Sequence, residues 1–264
     1  MQVRCFVFDA EGQQLGNVHG FFSRLIRLLT IKTTIISNLA QVHQRIAQAC
    51  ERAGRDVSSV ALLAVSKTFG ADAVRQAAAA GQRAFGENYV QEALDKMAEL
   101  HDLADLEWHC IGPLQSNKTR PVAEHFDWVH TVDRLKIAQR LSEQRPAHLP
   151  PLQVCLQINV DGGANKAGVL PDEALALAQA IAQLPRLQLR GLMSIPEPAT
   201  EYAAQCALHA RARAVFDQIK AAAPTAPGLE RFDTLSLGMT ADLDAAIAAG
   251  STIVRVGTGI FGGR

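Results

Sequence analysis

Apolar residues along the chain follow two alternating periods from Ser37 onward. Helical spacing governs the stretch from Leu39 to Ala49, which lies between Ser37, a residue type that caps helices, and Gly54, a type that ends them. The next apolar run, residues 60–65, is short, continuous and rich in valine and leucine. Such a run is typical of a strand that is buried on both faces of a parallel sheet. The pattern therefore predicts a helix followed by a buried strand.

This helix–strand unit recurs through the rest of the chain. Further strand-like runs occupy residues 83–86, 107–111, 128–132, 152–160, 187–195, 234–237 and 252–256. The clearest helical patterns occupy residues 74–100, 121–125, 135–144, 171–184, 202–223 and 241–249. Alternating strands and helices indicate a parallel sheet, and eight such units over about 230 residues match a closed (β/α)₈ barrel. An open doubly wound sheet is the alternative, but no GxGxxG turn follows the first strand.

The chain divides into an extension and one domain. No shift in composition interrupts residues 37–264, which we assign to the barrel. Residues 1–36 carry neither a signal-peptide pattern nor an apolar run long enough to span a bilayer. We interpret them as an N-terminal extension of unknown status that lies outside the barrel.

Composition narrows the class of protein further. Lys and Arg together number 26, as do Asp and Glu, so the formal net charge is zero. This balance argues against nucleic acid or an acidic membrane surface as the main partner. The five cysteines form no CxxC pair, and no Cys or His cluster has metal-ligand spacing. We therefore expect a cytoplasmic protein with reduced thiols and without a metal site.

Polar residues follow the predicted strands, at the end of a barrel where functional residues lie. They are Ser66-Lys67, Glu87-Asn88, His109, His130-Thr131, Asn159, Met193-Ser194, Ser236 with Gly238-Met239, and Arg255 with Gly257-Thr258. For any one of them, a loop hydrogen bond or a helix cap is the simpler interpretation. Lys67 is the most specific of the set. It either extends to solvent or, partly desolvated, attacks an aldehyde as a neutral amine and forms a Schiff base.

A candidate anion-binding segment follows the last predicted strand. The small residues of Gly257-Thr258-Gly259 allow backbone N–H groups to approach an anion, and Ser236 and Gly238 can add donors after the seventh strand. An ordinary tight turn is the alternative. In a closed barrel this segment neighbours the first strand and its lysine. One ligand that carries both an aldehyde and a phosphate is pyridoxal 5′-phosphate (PLP).

Six motifs occur in order along residues 37–264. They are LLAVSKT at 62–68, FGENYVQE at 85–92, EWHCIGPLQSNK at 107–118, GLMSI at 191–195, LSLGM at 235–239 and VRVGT at 254–258. Together they resemble the pyridoxal phosphate homeostasis protein family, and the ordered set is far more specific than any single motif. The resemblance implies a barrel like the N-terminal domain of alanine racemase, the fold type III of PLP proteins, in which Lys67 carries PLP as an internal aldimine.

The same resemblance implies roles for the other residues. Contacts to the phosphate and ring are expected from Ser236, Gly238, Met239, Gly257 and Thr258. Arg255 is expected to face the pyridine nitrogen. Ring or wall contacts are expected from Asn88, His109 and Met193. No residue is assigned to catalysis.

Two loops depart from the family pattern. Relatives usually carry a glutamate and a serine in the places of Gly163 and Asn165, although Lys166 and Gly168 are kept. After the seventh strand, the chain reads Thr240-Ala-Asp242 where an acidic pair after a serine is common. These changes affect loop contacts rather than the expected cofactor.

The expected function is binding rather than turnover. An arginine beside the pyridine nitrogen disfavours its protonation and leaves the ring a weaker electron sink. A racemase also needs a second base, which alanine racemases take from a β-rich domain of a partner chain, whereas this sequence ends as the barrel closes. We therefore expect a monomeric PLP-binding protein of intracellular vitamin B6 homeostasis, with PLP-dependent enzymes as candidate recipients. A slow monomeric racemase, or a regulatory partner protein that uses the cofactor as a sensor, are the alternatives.

Overall fold

The computed structural model describes residues 6–8, 14–163 and 166–263, and its main feature is a closed barrel of eight parallel strands. An antiparallel hairpin of two strands, β1 and β2, precedes the barrel. The strands are β1 (Phe6–Phe8), β2 (Gln14–Asn17), β3 (Ala61–Val65), β4 (Ala84–Glu87), β5 (Glu107–Cys110), β6 (Trp128–Val132), β7 (Leu152–Ile158), β8 (Leu187–Ser194), β9 (Thr234–Ser236) and β10 (Ile253–Val256). The predicted (β/α)₈ barrel is confirmed, and the open sheet is excluded because β10 pairs with β3.

Helices alternate with the barrel strands and cover them. They are α1 (Val18–Arg52), α2 (Ala71–Ala79), α3 (Val90–Glu99), α4 (Thr119–His125), α5 (Leu135–Gln144), α6 (Pro171–Ala182), α7 (Tyr202–Ala222), α8 (Leu243–Ala248) and α9 (Thr258–Phe261). Their apolar residues pack against the outward-facing strand residues in one main core. Within the described part of the chain, no helix is both long enough and apolar enough to cross a lipid bilayer.

Two of the predicted helices have different bounds in the structure. α1 begins at Val18, so Ser37 lies inside the helix and does not cap it, because residues 21–36 contain no glycine or proline to end it. α1 therefore crosses the proposed boundary between residues 36 and 37, and a separate extension stays a prediction. The pattern over residues 74–100 is two helices, α2 and α3, since Gly81 has a positive φ and β4 follows it.

The barrel strands separate the main core from a second apolar region. On β3, Leu62 and Ala64 belong to the core beneath the helices, whereas Leu63 and Val65 face the barrel interior, because successive side chains of a strand alternate. Inside the barrel, a smaller apolar cluster consists of Trp128, Cys155 and Met193. The interior register of β3 continues to Lys67, at the mouth formed by the carboxyl ends of the strands.

Closure of the barrel brings the two segments expected to bind the cofactor side by side. β10 pairs with β3 in parallel, with Val256 opposite Ala64. A Cβ atom on Gly257 would lie 3.2 Å from the carbonyl oxygen of Val65. The chain therefore leaves β10 at Gly257 directly beside the strand end that leads to Lys67.

Candidate functional site at the carboxyl ends of the strands

Lys67 follows the carboxyl end of β3 and continues the register that faces the barrel interior. Its side chain is partly buried, and its amino group has no hydrogen-bond or ion-pair partner among the described residues. Lys96 and Lys166, by contrast, each pair with carboxylates. An amine without a partner at the mouth of the barrel is available to an incoming aldehyde.

The backbone on both sides of Lys67 is held by α3. Lys96 Nζ donates a 2.8 Å hydrogen bond to the carbonyl oxygen of Ser66, and the Glu92 carboxylate accepts one from the backbone N–H of Thr68. Lys96 and Glu92 also pair with each other at 2.7 Å. Thr68 has a φ of +68°, a left-handed conformation that β-branched residues rarely adopt. Such strain persists only where the surroundings impose it, so α3 fixes the turn that presents Lys67.

A buried ion pair lies behind this turn. Lys96 Nζ is 2.7 Å from Glu87 Oε1, which also accepts a 2.6 Å hydrogen bond from the Ser66 hydroxyl. Burial raises the pKa of Glu87, and the hydrogen bonds from Lys96 and Ser66 act in the opposite direction. Glu87 Oε2 is buried without a partner among the described residues. The ion pair ties the ends of β3 and β4 to α3.

The turn after β9 forms another part of the mouth. Gly238 has a φ of +83°, and a Cβ atom there would lie 2.4 Å from the Cβ atom of Ala246. Both the backbone conformation and the available space therefore require glycine. Asp242 closes the turn, because its carboxylate accepts a 2.6 Å hydrogen bond from the backbone N–H of Met239. The Met239 side chain is exposed.

The segment after β10 supplies donors beside this turn. α9 begins directly after Gly257, and the first N–H groups of a helix, here those of Thr258 and Gly259, have no acceptor within the helix. The exposed Thr258 hydroxyl lies 3.4 Å from the hydroxyl of Thr240. Two backbone N–H groups and two hydroxyls form a donor set that suits a phosphate.

A buried hydroxyl without a partner tests the fit of the expected ligand. Ser194, the last residue of β8, is buried, and its Oγ has no hydrogen-bond partner among the described residues. Its carbonyl oxygen accepts a 3.0 Å hydrogen bond from Arg255. Burial lowers the pKa of Arg255 to about 10, so the guanidinium stays charged at neutral pH. A free amine, an unpaired hydroxyl, a fixed cation and the donors near Thr258 fit a phosphorylated aldehyde.

Three residues expected to contact the cofactor lie deeper in the barrel. Ser236 is completely buried, and its Oγ lies 2.7 Å from Arg255 Nη1 and 3.0 Å from His130 Nδ1. Met193 is buried in the interior apolar cluster. His109 lines a cavity at the amino ends of the strands, the opposite end of the barrel from Lys67. Contacts from these residues to a ligand stay predictions.

Asn88 and the loop after β7 lie at the mouth. Asn88 follows β4 and is partly buried, and a Cβ atom on Gly112 would lie 2.1 Å from its carbonyl oxygen, so the loops after β4 and β5 touch through their backbones. In the loop after β7, Gly163 is exposed, whereas Asn165 lies outside the described residues. Lys166 in the same loop pairs with Asp161 at 2.6 Å.

The sequence pattern missed Glu92 and Lys96. They stand four residues apart on one helix, a spacing that usually indicates an exposed ion pair. Their effect depends on the burial of Lys96 against the end of β3, which requires the three-dimensional arrangement. His130 and Ser194 stand out in the sequence as strand-end residues, but no pattern indicates that one is bonded to Ser236 and the other unpaired.

Sequence comparisons relate the chain to known proteins over most of its length. The family model described as alanine racemase, N-terminal domain, matches residues 37–264. The chain is 61% identical over 232 residues to the pyridoxal phosphate homeostasis protein of Pseudomonas aeruginosa, covering 88% of this chain and 96% of that protein. It is 54% identical over 232 residues to the protein of the same name from Escherichia coli K12, covering 87% and 97%.

Solved structures share the architecture. PipY of Synechococcus elongatus with PLP bound is 42% identical, with a TM-score of 0.74, over 86% of this chain and 100% of that chain. Alanine racemase from Corynebacterium glutamicum is 19% identical, with a TM-score of 0.62, over 88% of this chain and 62% of that one. The second likeness is one of fold alone.

Proposed function

The chain belongs to the pyridoxal phosphate homeostasis protein family, and from this premise we propose that it binds PLP at the carboxyl end of its barrel through Lys67. Its relatives with this name match it over nearly their whole length, and PipY has been solved with PLP bound. The proposed role is to hold the cofactor reversibly and so to limit the concentration of free aldehyde.

One observation carries the proposal: the amino group of Lys67 lacks a partner among the described residues, in a turn whose backbone is anchored on both sides. Lys96 holds the peptide before it and Glu92 the peptide after it. A surface lysine would need no such support, and a structural lysine would have an acceptor. A pre-positioned amine at a barrel mouth suits reversible condensation with an aldehyde.

Residues around Lys67 would hold the rest of the cofactor. We assign the phosphate to the segment from Gly257 to Gly259, where the N–H groups of Thr258 and Gly259 and the Thr258 hydroxyl are donors, with Ser194 as a further donor. When bound, PLP supplies an electrophilic carbon and a ring that accepts electrons. Arg255, charged and unable to accept a hydrogen bond, is proposed to face the pyridine nitrogen, where it opposes a proton on the ring. Further proposed contacts are Asn88, Met193, Gly238 and Met239, whereas Ser236 and His109 are proposed to act on the cofactor through Arg255.

A binding role is better supported than racemisation. The second base of a racemase must be held within reach of the substrate on the face opposite the lysine. The chain contains two tyrosines, and Tyr89 and Tyr202 are 59% and 56% exposed. Formation of D-alanine from L-alanine by the PLP-loaded protein would nevertheless establish turnover.

Transfer to other proteins fits the surface around the mouth. Large exposed apolar side chains follow several barrel strands, namely Tyr89, Leu170, Ile195, Tyr202 and Met239. Exposed apolar side chains at a binding site favour contact with another protein. We propose that a monomer in the cytoplasm presents PLP to PLP-dependent enzymes at this face, and the free thiols of Cys50, Cys110 and Cys155 fit a reducing compartment.

Borohydride trapping tests the attachment directly. The protein is incubated with PLP, reduced, digested and analysed by mass spectrometry, with Lys67→Ala and Lys136→Ala as matched variants. Lys136 is exposed in the first turn of α5 and is not one of the residues proposed to bind PLP. We expect the reduced adduct on Lys67 in the wild-type protein and in Lys136→Ala, and no specific adduct in Lys67→Ala. Equal labelling of all three proteins would reject the proposal.

A further inference from the structure

Five side chains form a continuous hydrogen-bond chain through the interior of the barrel. Arg255 Nη1 lies 2.7 Å from Ser236 Oγ, which lies 3.0 Å from His130 Nδ1. His130 Nε2 lies 2.9 Å from His109 Nδ1, and His109 Nε2 lies 2.7 Å from Glu107 Oε1. This hydrogen-bond chain therefore joins Arg255, at the proposed cofactor end of the barrel, to Glu107, at the amino ends of the strands.

Glu107 is the end of this chain that meets solvent. Its side chain is 49% exposed and lines a cavity of about 430 Å³ at the amino ends of the strands. The hydrogen bond from His109 is the main cause that holds the pKa of Glu107 below its usual value, and the indole N–H of Trp128 acts in the same direction. The other charged groups around this end are Arg190, Asp233 and Asp127. Glu107 is therefore an anion at neutral pH.

Glu107 and Arg255, the two ends of the hydrogen-bond chain, determine which atom donates in each hydrogen bond. An ionised carboxylate only accepts, so His109 donates from Nε2, and with a single ring proton it accepts at Nδ1. The proton between the two rings then belongs to His130 Nε2. His130 is completely buried, and burial, with the charge of Arg255, places its pKa well below the usual value, so its Nδ1 is bare when Nε2 carries the proton. That Nδ1 accepts the hydroxyl proton of Ser236, whose oxygen accepts from Arg255.

We propose that Glu107 is a positioning residue that fixes the Nε2–H tautomer of both His109 and His130 and thereby directs the Ser236 hydroxyl proton toward His130. Ser236 is then an acceptor for Arg255 and has no proton to offer a ligand. The charge at one end of the barrel sets the donor pattern around the arginine at the other. Only the last link, from Arg255 to bound PLP, rests on the proposed function.

Long-range ¹H–¹⁵N NMR of the histidine side chains in the PLP-free full chain tests the tautomers. We expect both His109 and His130 to carry the proton on Nε2 in the wild-type protein. Glu107→Gln replaces an obligate acceptor with a group that either accepts or donates, so both histidines should lose this preference. Asp233→Asn is the matched control. Asp233 lines the same cavity, but it pairs with Arg190, which is not a member of the hydrogen-bond chain.

A second variant keeps the test decisive if Glu107→Gln does not fold. Ser236→Ala removes the partner at the other end, and both rings should keep the Nε2–H form, because Glu107 still accepts from His109. A doubly protonated His109 in the wild-type protein would overturn the proposal. Tautomers that change in Ser236→Ala, that survive in Glu107→Gln, or that respond equally to Asp233→Asn would do the same.

The absorbance of the PLP-loaded protein tests the last link separately. We expect Glu107→Gln to shift the pH dependence of the bound-cofactor band relative to wild type and Asp233→Asn, with Lys67 still trapped by borohydride. An unshifted profile would overturn the link from Glu107 to the cofactor. Loss of PLP binding by the wild-type protein would instead reject the proposed function and leave the NMR result standing.

Discussion

Lys96 Nζ donates a 2.8 Å hydrogen bond to the carbonyl oxygen of Ser66, the residue immediately before Lys67. One buried lysine thus supports the backbone from which a second lysine presents its free amine. The same ammonium group pairs with Glu87 and Glu92, so its three N–H donors are all used. The division of roles between the two lysines follows from their partners: Lys96 is fully satisfied by the protein, and Lys67 is not.

Removal of Lys96 should destabilise the protein severely. Lys96→Met leaves the Glu87 carboxylate buried without its cation, and breaking a buried pair from one side costs about 3–5 kcal/mol. Glu87→Gln in the Lys96→Met background should recover part of the loss, because the orphaned charge is gone. Urea unfolding of both variants, with exposed Lys136→Met as the control, measures these differences. A single-variant loss below about 1 kcal/mol, the range of surface pairs, would contradict the assigned burial.

Two glycines with similar φ angles allow the cost of backbone strain to be distinguished from the cost of crowding. Gly238 and Gly262 have φ values of +83° and +89°, but a Cβ atom at Gly238 would collide with Ala246, whereas no described atom outside the neighbouring residues lies within 4 Å of one at Gly262. Gly262→Ala should cost at least about 1 kcal/mol because its φ is positive and its ψ is near 180°, a conformation that only glycine adopts readily. Gly238→Ala adds overpacking, for a total of about 3 kcal/mol, and should weaken PLP binding. Urea unfolding and absorbance titration with PLP measure both effects; equal stability losses would contradict the crowding at Gly238.

The sequence predicted the barrel because its signal is local and repeated. Runs such as residues 128–132 and 135–144 coincide with β6 and α5 as the structure has them. The predicted helix bounds were wrong where they depend on residues outside the local pattern. Serine is a good helix-capping residue type. However, no glycine or proline in residues 21–36 interrupts the helix before Ser37, so the helix that begins at Val18 continues through it. The pattern over residues 74–100 missed the glycine turn that separates two helices.

The candidate site was predictable only in part. Lys67 and the glycines after β9 and β10 follow from their positions at strand ends, because all strand ends of a parallel barrel meet at one mouth. Glu92 and Lys96 were missed because helical spacing indicates pairing but not burial. The cavity that His109 lines at the amino ends of the strands has no sequence signal, because a four-residue strand carries side chains toward both ends of the barrel and residue numbers alone do not assign them.

Acid should destabilise the protein partly through His130. Its folded pKa lies well below the ordinary value because of burial, with the nearby Arg255 acting in the same direction. The unfolded chain takes up a proton near about pH 6.5 while the folded protein does not, so the stability contributed by neutral His130 is present above that pH and is lost as pH falls. Below it, the free energy of unfolding should decrease by about 1.4 kcal/mol per pH unit from this residue.

His130→Gln should remove that part of the slope. Urea unfolding between about pH 5 and about pH 7 compares the variant with wild type and with His148→Gln, since these are the limits within which an ordinary histidine titrates. His148 is exposed and serves as the matched control. We expect a lower stability for His130→Gln at neutral pH and a shallower acid slope. Parallel slopes for wild type and His130→Gln would mean that the imidazole is protonated in the folded protein.

Ser194 and Ser142 provide the sharpest separation of binding from stability. Both hydroxyls are buried, but Ser142 donates to the carbonyl oxygen of Pro185, whereas Ser194 Oγ has no partner within the described residues. Ser142→Ala should therefore cost about 1 kcal/mol of stability and leave PLP affinity unchanged. Ser194→Ala should leave the PLP-free protein as stable as wild type or slightly more so, because it removes an unsatisfied polar group.

The same Ser194→Ala change should weaken PLP binding by about tenfold to a hundredfold. A hydrogen bond to a charged group contributes about 1.5–3 kcal/mol, and about 1.4 kcal/mol corresponds to a factor of ten in affinity. Urea unfolding without PLP and absorbance titration with PLP give the two quantities on the same preparations. A structural hydroxyl would lose stability and keep its affinity, as Ser142 is expected to do. The opposite result for Ser194 requires that its donor be reserved for a ligand, because no protein atom in the described chain uses it.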